Sequence, residues 1–163
     1  MNEELRERVA ALIEAGRTEK VGERFFVPIV TLESGTRLGL DEEAGWVSSP
    51  PDADALRVFG AGGERHFFEA VESKRSVIED LLEQGAAEQG LPVEAVVLSF
   101  PAVELVAAVL ETGSAHFARL GLLWLLPSEL RQMRSKIAQL ARSPELPQPV
   151  RDLAERLIVP ESE

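Results

Sequence analysis

Histidine is the side chain most often used for acid–base catalysis and for metal binding, and this chain has two, His66 and His116, fifty residues apart. His66, Glu69 and Glu72 follow at i, i+3 and i+6. That spacing could bring one imidazole and two carboxylates to one helix face as metal ligands. Carboxylate metal centres draw on several helices, and no second Glu-x-x-His set exists here, so the trio reads as a solvated helix start. There is no cysteine, which removes thiolate metal sites, disulfides and Cys nucleophiles. No G-x-S-x-G elbow, H-E-x-x-H or S-x-x-K set occurs. Gly60-Ala61-Gly62-Gly63 lies between an apparent strand and a helix, where a phosphate loop would sit. Its spacing matches neither G-x-G-x-x-G nor G-x-x-x-x-G-K-[ST], and Glu64 follows at once, so it reads as a flexible turn. The 28 Asp and Glu residues always offer some carboxylate dyad, but no motif selects one. We therefore expect no catalytic set, no metal and no cofactor.

Two charged features remain. Asp41-Glu42-Glu43 stands beside Gly45-Trp46, and an aromatic in an acidic loop can anchor a protein interface or mimic nucleic acid toward a basic partner. The plainer reading tucks Trp46 into the core and leaves the acids as a solvated turn. The opposite sign gathers between Arg119 and Arg142, with Arg119, Arg131, Arg134, Lys136 and Arg142 against Glu129 alone. Arg131, Arg134 and Arg142 can share the outer stripe of a helix whose Met133, Ile137 and Leu140 face inward. The plainer reading is a solvated face near helix C-termini, which its charge suits. Asp41, Glu42, Glu43, Trp46, Arg131, Arg134 and Arg142 are the candidate partner-binding residues.

The charge is unevenly distributed. Residues 1–99 hold 10 Lys and Arg against 20 Asp and Glu; residues 100–163 hold 7 against 8. A total of −11 disfavours nucleic acid and anionic membrane surfaces as partners. Arg outnumbers Lys 14 to 3, but the residues are scattered, which reads as the codon bias of a GC-rich bacterial genome. At 163 residues and 45% hydrophobic content, a single domain with a proper core is expected. Met1-Asn2-Glu3-Glu4-Leu5-Arg6 lacks a basic region followed by an apolar stretch, so the expected location is cytoplasmic. The longest unbroken apolar run, Leu120 to Leu126, falls far short of the roughly 20 residues of a spanning helix.

The elements follow from periodicity. Asn2 to Glu14 predicts a helix capped by Asn2, with Leu5, Val9, Leu12 and Ile13 on one face and Gly16 as its stop. Phe25 to Leu32 predicts a strand that Pro28 pushes toward an edge, turning at Glu33–Thr36 into Arg37–Leu40. Trp46-Val47 and Leu56–Phe59 add short strands. Phe67 to Gln84 predicts one helix, framed at its end by Gly85 and Gly90, and Leu91–Leu98 reads as either strand or helix. After Pro101 come four helices: one to about Glu111, one opened by Ser114, one opened by Ser128, and one carrying Val150 to Ile158. The first two are apolar nearly all round and should be central. The last carries Arg151/Glu155 and Asp152/Arg156 as i,i+4 pairs.

These four read as two helical hairpins. Pro149-Val150-Arg151, Ala154 and Leu157 resemble the second helix of a HEAT-type repeat, an architectural likeness over about a third of the chain. Such solenoids need about three or more repeats, and two hairpins are visible.

The expected fold is α+β and helix-dominated, with an N-terminal helix, a small antiparallel sheet and C-terminal helical hairpins. Residues 1–99 form the acidic α+β portion and 100–163 the helical portion of one domain. The expected function is that of a non-catalytic protein-binding module such as an adaptor, a regulator or an immunity or inhibitor protein, with another protein as partner. One alternative is an enzyme or small-ligand receptor, with a pocket lined by Phe67, Phe68 and Trp124 and with Arg57, Arg65 or His66 as polar contacts. Another is a structural subunit whose apolar helices complete a homodimer.

Overall fold

The computed structural model describes residues 2–158. The chain forms two compact units, Met1–Pro101 and Ala102–Glu163. Phe100 and Pro101 carry no charge, so the first unit holds the whole acidic surplus counted over 1–99. The architecture is α+β and helix-dominated.

In the first unit, helix α1 spans Glu3–Glu14. It starts where Asn2 Oδ1 accepts the N–H of Leu5 at 3.0 Å, with Glu3 and Glu4 in the positive first turn. Leu5 and Val9 are buried and Leu12 and Ile13 half-buried. The chain leaves the helix at Gly16, whose φ of +69° suits glycine. Five strands follow as an antiparallel meander in sequence order: β1 Glu19–Val21, β2 Arg24–Thr31, β3 Arg37–Asp41, β4 Trp46–Ser49 and β5 Arg57–Val58. β1 was not legible in the residues, since its two exposed positions and one half-buried Val21 carry no alternation.

Pro28 does not make β2 an outer strand, because β2 pairs with both β1 and β3. β1, however, covers only Arg24 to Phe26, so Pro28 has no β1 residue opposite it. The register against β3 slips between Pro28 and Val30, leaving Ile29 as the extra residue of a bulge. This is where a strand tolerates a residue without an N–H.

The single helix expected over Phe67–Gln84 is two: a 3₁₀ helix, Glu64–Glu72, and α2, Arg75–Glu88. Residues 72–76 (Glu-Ser-Lys-Arg-Ser) offer no apolar group to bury, and Ser73 and Lys74 are extended with ψ of 156° and 146°. Gly85 does not end α2 but lies buried within it. A Cβ there would fall 1.9 Å from the Ile29 carbonyl oxygen, so glycine lets the helix backbone lie directly on the bulge. Gln89 Nε2 then donates to the Pro28 carbonyl at 3.1 Å. The stop is Gly90, at φ +69°. Leu91–Leu98 resolves as helix α3, Val93–Ser99, packed on α2.

The second unit contains α4 Ala102–Leu110, α5 Ala115–Trp124, α6 Pro127–Leu130, α7 Arg134–Ala141 and α8 Gln148–Ile158. α4 pairs with α5 and α7 with α8, the two hairpins expected. Ser114 Oγ caps α5 by accepting the N–H of Phe117 at 3.3 Å. A Cβ on Gly121 would sit 2.9 Å from Leu110 Cδ2, so glycine brings α5 close to α4. Contrary to the expectation from its apolar sequence, α5 is not central on every side, since Leu123 is 55% exposed.

The helix expected to open at Ser128 breaks into α6 and α7 around Arg131–Met133. Its start is fixed instead by Glu129 Oε1, which accepts the N–H of Leu126 at 2.9 Å. The apolar period runs unbroken through Met133, Ile137 and Leu140, all buried, and so hides the break. On α8, Gln148 engages Arg151 (2.8 Å) and Asp152 (2.6 Å) in place of the expected i,i+4 ion pairs.

The stretch Val93–Leu110 has a mean hydropathy of 2.1, enough by length and composition to cross a membrane. It is two short helices, because Phe100 is extended and Pro101 follows.

Candidate functional site

The β3–β4 turn is organised by Asp41. Its Oδ1 accepts the N–H groups of Glu43 and Gly45, each at 2.9 Å, and its Oδ2 accepts from Arg24 Nη2 at 2.7 Å. Asp41 is 4% exposed. Trp46, the next strand's first residue, is 5% exposed. Its Nε1 donates to Ser99 Oγ at 3.1 Å, Ser99 donates on to the Val96 carbonyl, and the indole meets the Phe100 ring edge-on at 5.0 Å. Asp41 and Trp46 therefore serve the fold: one closes the turn, the other ties the sheet to the end of α3. Neither is an exposed anchor.

Glu42 and Glu43 stay on the surface, and Glu43 Oε2 meets Arg6 Nη2 at 2.8 Å. Between this turn and α1 lies an open groove of about 490 Å³. Glu3, Glu7, Glu14, Glu42 and Glu43 line it with Arg6, while Ala10 and Ile13 give it a small apolar floor. The α1 carboxylates were missed in the sequence because the outer face of an amphipathic helix looks solvated whatever lies beside it. Only the fold brings that face opposite the turn.

A smaller pocket of about 310 Å³ in the same unit is lined by Leu5, Trp46, Phe59 and Pro101, with Asn2 and Ser99 as polar groups. Asn2 already caps α1 and Ser99 already links Trp46 to Val96, so the pocket offers little convergent polarity for chemistry. Of the residues considered for a ligand pocket, Phe67 is buried edge-on to Phe59, and Trp124 is buried within the second unit. Arg57 and Arg65 are exposed. His66 is half-buried, and desolvation, then Arg65 and Arg57, hold its pKa below the ordinary imidazole value. Glu69 turns away from it to Ser34, accepting from its Oγ at 2.5 Å and its N–H at 3.2 Å. Among the described residues no three His, Asp or Glu side chains gather as metal ligands.

In the second unit Arg131 follows α6, Arg134 opens α7 and Arg142 follows it. All three are exposed. Arg131 and Arg142 suit the negative helix ends, while Arg134 sits at a positive one.

No family model matches the chain, and no curated protein or solved structure is significantly similar to it.

Proposed function

We propose that the chain is a non-catalytic binding module whose acidic groove, between α1 and the β3–β4 turn, docks a basic segment of another protein. The observation that carries this reading is the groove's composition: five glutamates against one arginine around an apolar floor, on a unit with twice as many acids as bases. Such a surface steers a cationic partner toward itself and repels acidic ones, so it sets association rate and selectivity more than raw affinity. A segment with Lys or Arg on one face and a small apolar residue toward Ala10 and Ile13 complements it in both respects.

The test is capture of partners from the native lysate at low and high salt, by wild type, by a triple variant E7K/E42K/E43K, and by R131E/R134E/R142E. The expected result is a stoichiometric protein partner retained at low salt, released at high salt, and lost from the groove variant alone. Retention by the groove variant, with its circular dichroism unchanged, would overturn the assignment. Loss from the arginine variant alone would move the interface to the second unit.

A further inference from the structure

The corner after β5 runs against the sign of its acidic unit, with Arg57 before it and Arg65-His66 after it. Strand β5 ends at Val58, the chain turns through Gly60–Gly63, and the 3₁₀ helix begins at Glu64. The turn is folded tightly back on β5. Gly63 N–H donates to the Gly60 carbonyl at 2.9 Å, and a Cβ on Gly63 would fall 2.0 Å from the Val58 carbonyl oxygen. His66 N–H then donates to the Gly63 carbonyl at 3.2 Å. This return lays the 3₁₀ helix against the end of β5, where Phe59 meets Phe67 edge-on at 5.0 Å, and so brings Arg65 and His66 to the same corner as Arg57. Both guanidinium charges add to desolvation in lowering the His66 pKa.

Arg6, Arg24, Arg37 and Arg75 of the same unit each hold a carboxylate. Among the described residues Arg57 and Arg65 hold none, although the unit has carboxylates in excess. Two exposed guanidinium groups that hold no carboxylate thus share this corner with an imidazole. Gly60, Ala61 and Gly62 all take positive φ (+100°, +51°, +90°), so the loop beside them carries a single small side chain and leaves its backbone open to approach.

We propose that Arg57, Arg65 and His66, at the corner between β5 and the 3₁₀ helix, form a binding site for a phosphate dianion, distinct from the acidic groove. Two guanidinium forks supply parallel N–H pairs, and the imidazole adds a further donor. A phosphate presents three or four oxygens and nearly two negative charges, and guanidinium forks match its geometry. Glu64 adjoins the loop and limits affinity, which suits a reversible ligand.

The experiment is a titration of the full chain with inorganic phosphate at constant ionic strength, followed on the ring protons of His66 and His116 by NMR. His116 lies in the other unit and is the internal control. The expected result is a saturable shift of His66 with a midpoint of about 1 to 10 mM, the range of a few charge-assisted contacts. An added anion favours the imidazolium form, so the depressed pKa of His66 should rise on binding while His116 stays still. R57Q and R65Q should each weaken binding about tenfold, and E64Q should tighten it. Tighter binding of O-phosphoserine or of a nucleoside monophosphate than of inorganic phosphate supports the site and names the carrier. Parallel drift of both histidines, unsaturable shifts, equal binding of acetate, or indifference to R57Q and R65Q would overturn the proposal.

Discussion

Replacing Asp41 by alanine should destabilise the unit, whatever it does to an interface. The carboxylate accepts two backbone N–H groups and one arginine. Hydrogen bonds to a charged acceptor contribute about 1.5–3 kcal/mol each when buried. Here the two donors belong to a surface turn, so water recovers part of that loss, leaving about 1–1.5 kcal/mol apiece. The Arg24 side chain is 42% exposed, and its ion pair is discounted to about 0.2–1 kcal/mol. D41A should therefore cost about 2–4 kcal/mol, or roughly 10 °C or more in Tm for a unit of about 100 residues. D41N keeps one acceptor oxygen for the turn but turns an amide toward Arg24, and should cost about 1–2 kcal/mol. E42A and E43A should stay within about 0.5 kcal/mol, because the Arg6–Glu43 pair is exposed on both sides. Urea melts followed by circular dichroism, with the slope checked for constancy, measure all four. If D41A costs no more than E42A, the turn does not depend on this carboxylate and the division of the loop into structural and surface acids is wrong.

Two further substitutions probe the frame. G85A improves local helix propensity by about 1 kcal/mol, yet its Cβ collides with the Ile29 carbonyl; a net loss of about 2 kcal/mol in a denaturant melt is expected, and a stabilised variant would show that α2 can lift off the bulge freely. Ser48 in β4 is fully buried with no hydrogen-bond partner for its hydroxyl, so S48A should be neutral or stabilising by up to about 1 kcal/mol; a loss above that in the same melt would reveal a hidden partner.

The residues themselves revealed what is decided locally. Asn2 and Ser114 cap helices as their types and spacing require, and the strand periods of Phe25–Leu32 and Arg37–Leu40 place β2 and β3 within a residue or so of their observed limits. Features decided by tertiary approach were not legible. Gly85 looks like a stop in the sequence, and only the carbonyl of Ile29, far away in the chain, makes it a contact residue. Asp41 was grouped with Glu42 and Glu43 by charge, although an Asp at the head of a tight turn has the geometry to bind its own backbone. The groove needed both α1 and the β3–β4 turn, and no local pattern joins Glu7 to Glu42.

The separation of Asp41 from its neighbours also bears on why the groove is acidic at all. Five glutamates around one arginine repel one another, and in the free chain that repulsion opposes folding. Asp41 offsets part of it by tying the turn down through Arg24 and two backbone donors, so the outward carboxylates need not support the fold. An unrelieved surface of like charge is retained at a cost unless something cationic occupies it. Added salt should then act in opposite senses. Screening the repulsion should stabilise the free chain, while screening the attraction should weaken its complex with a basic segment. A purely solvated acidic face would show the first effect without the second, which is why salt dependence of the complex, rather than of the free chain, discriminates between them.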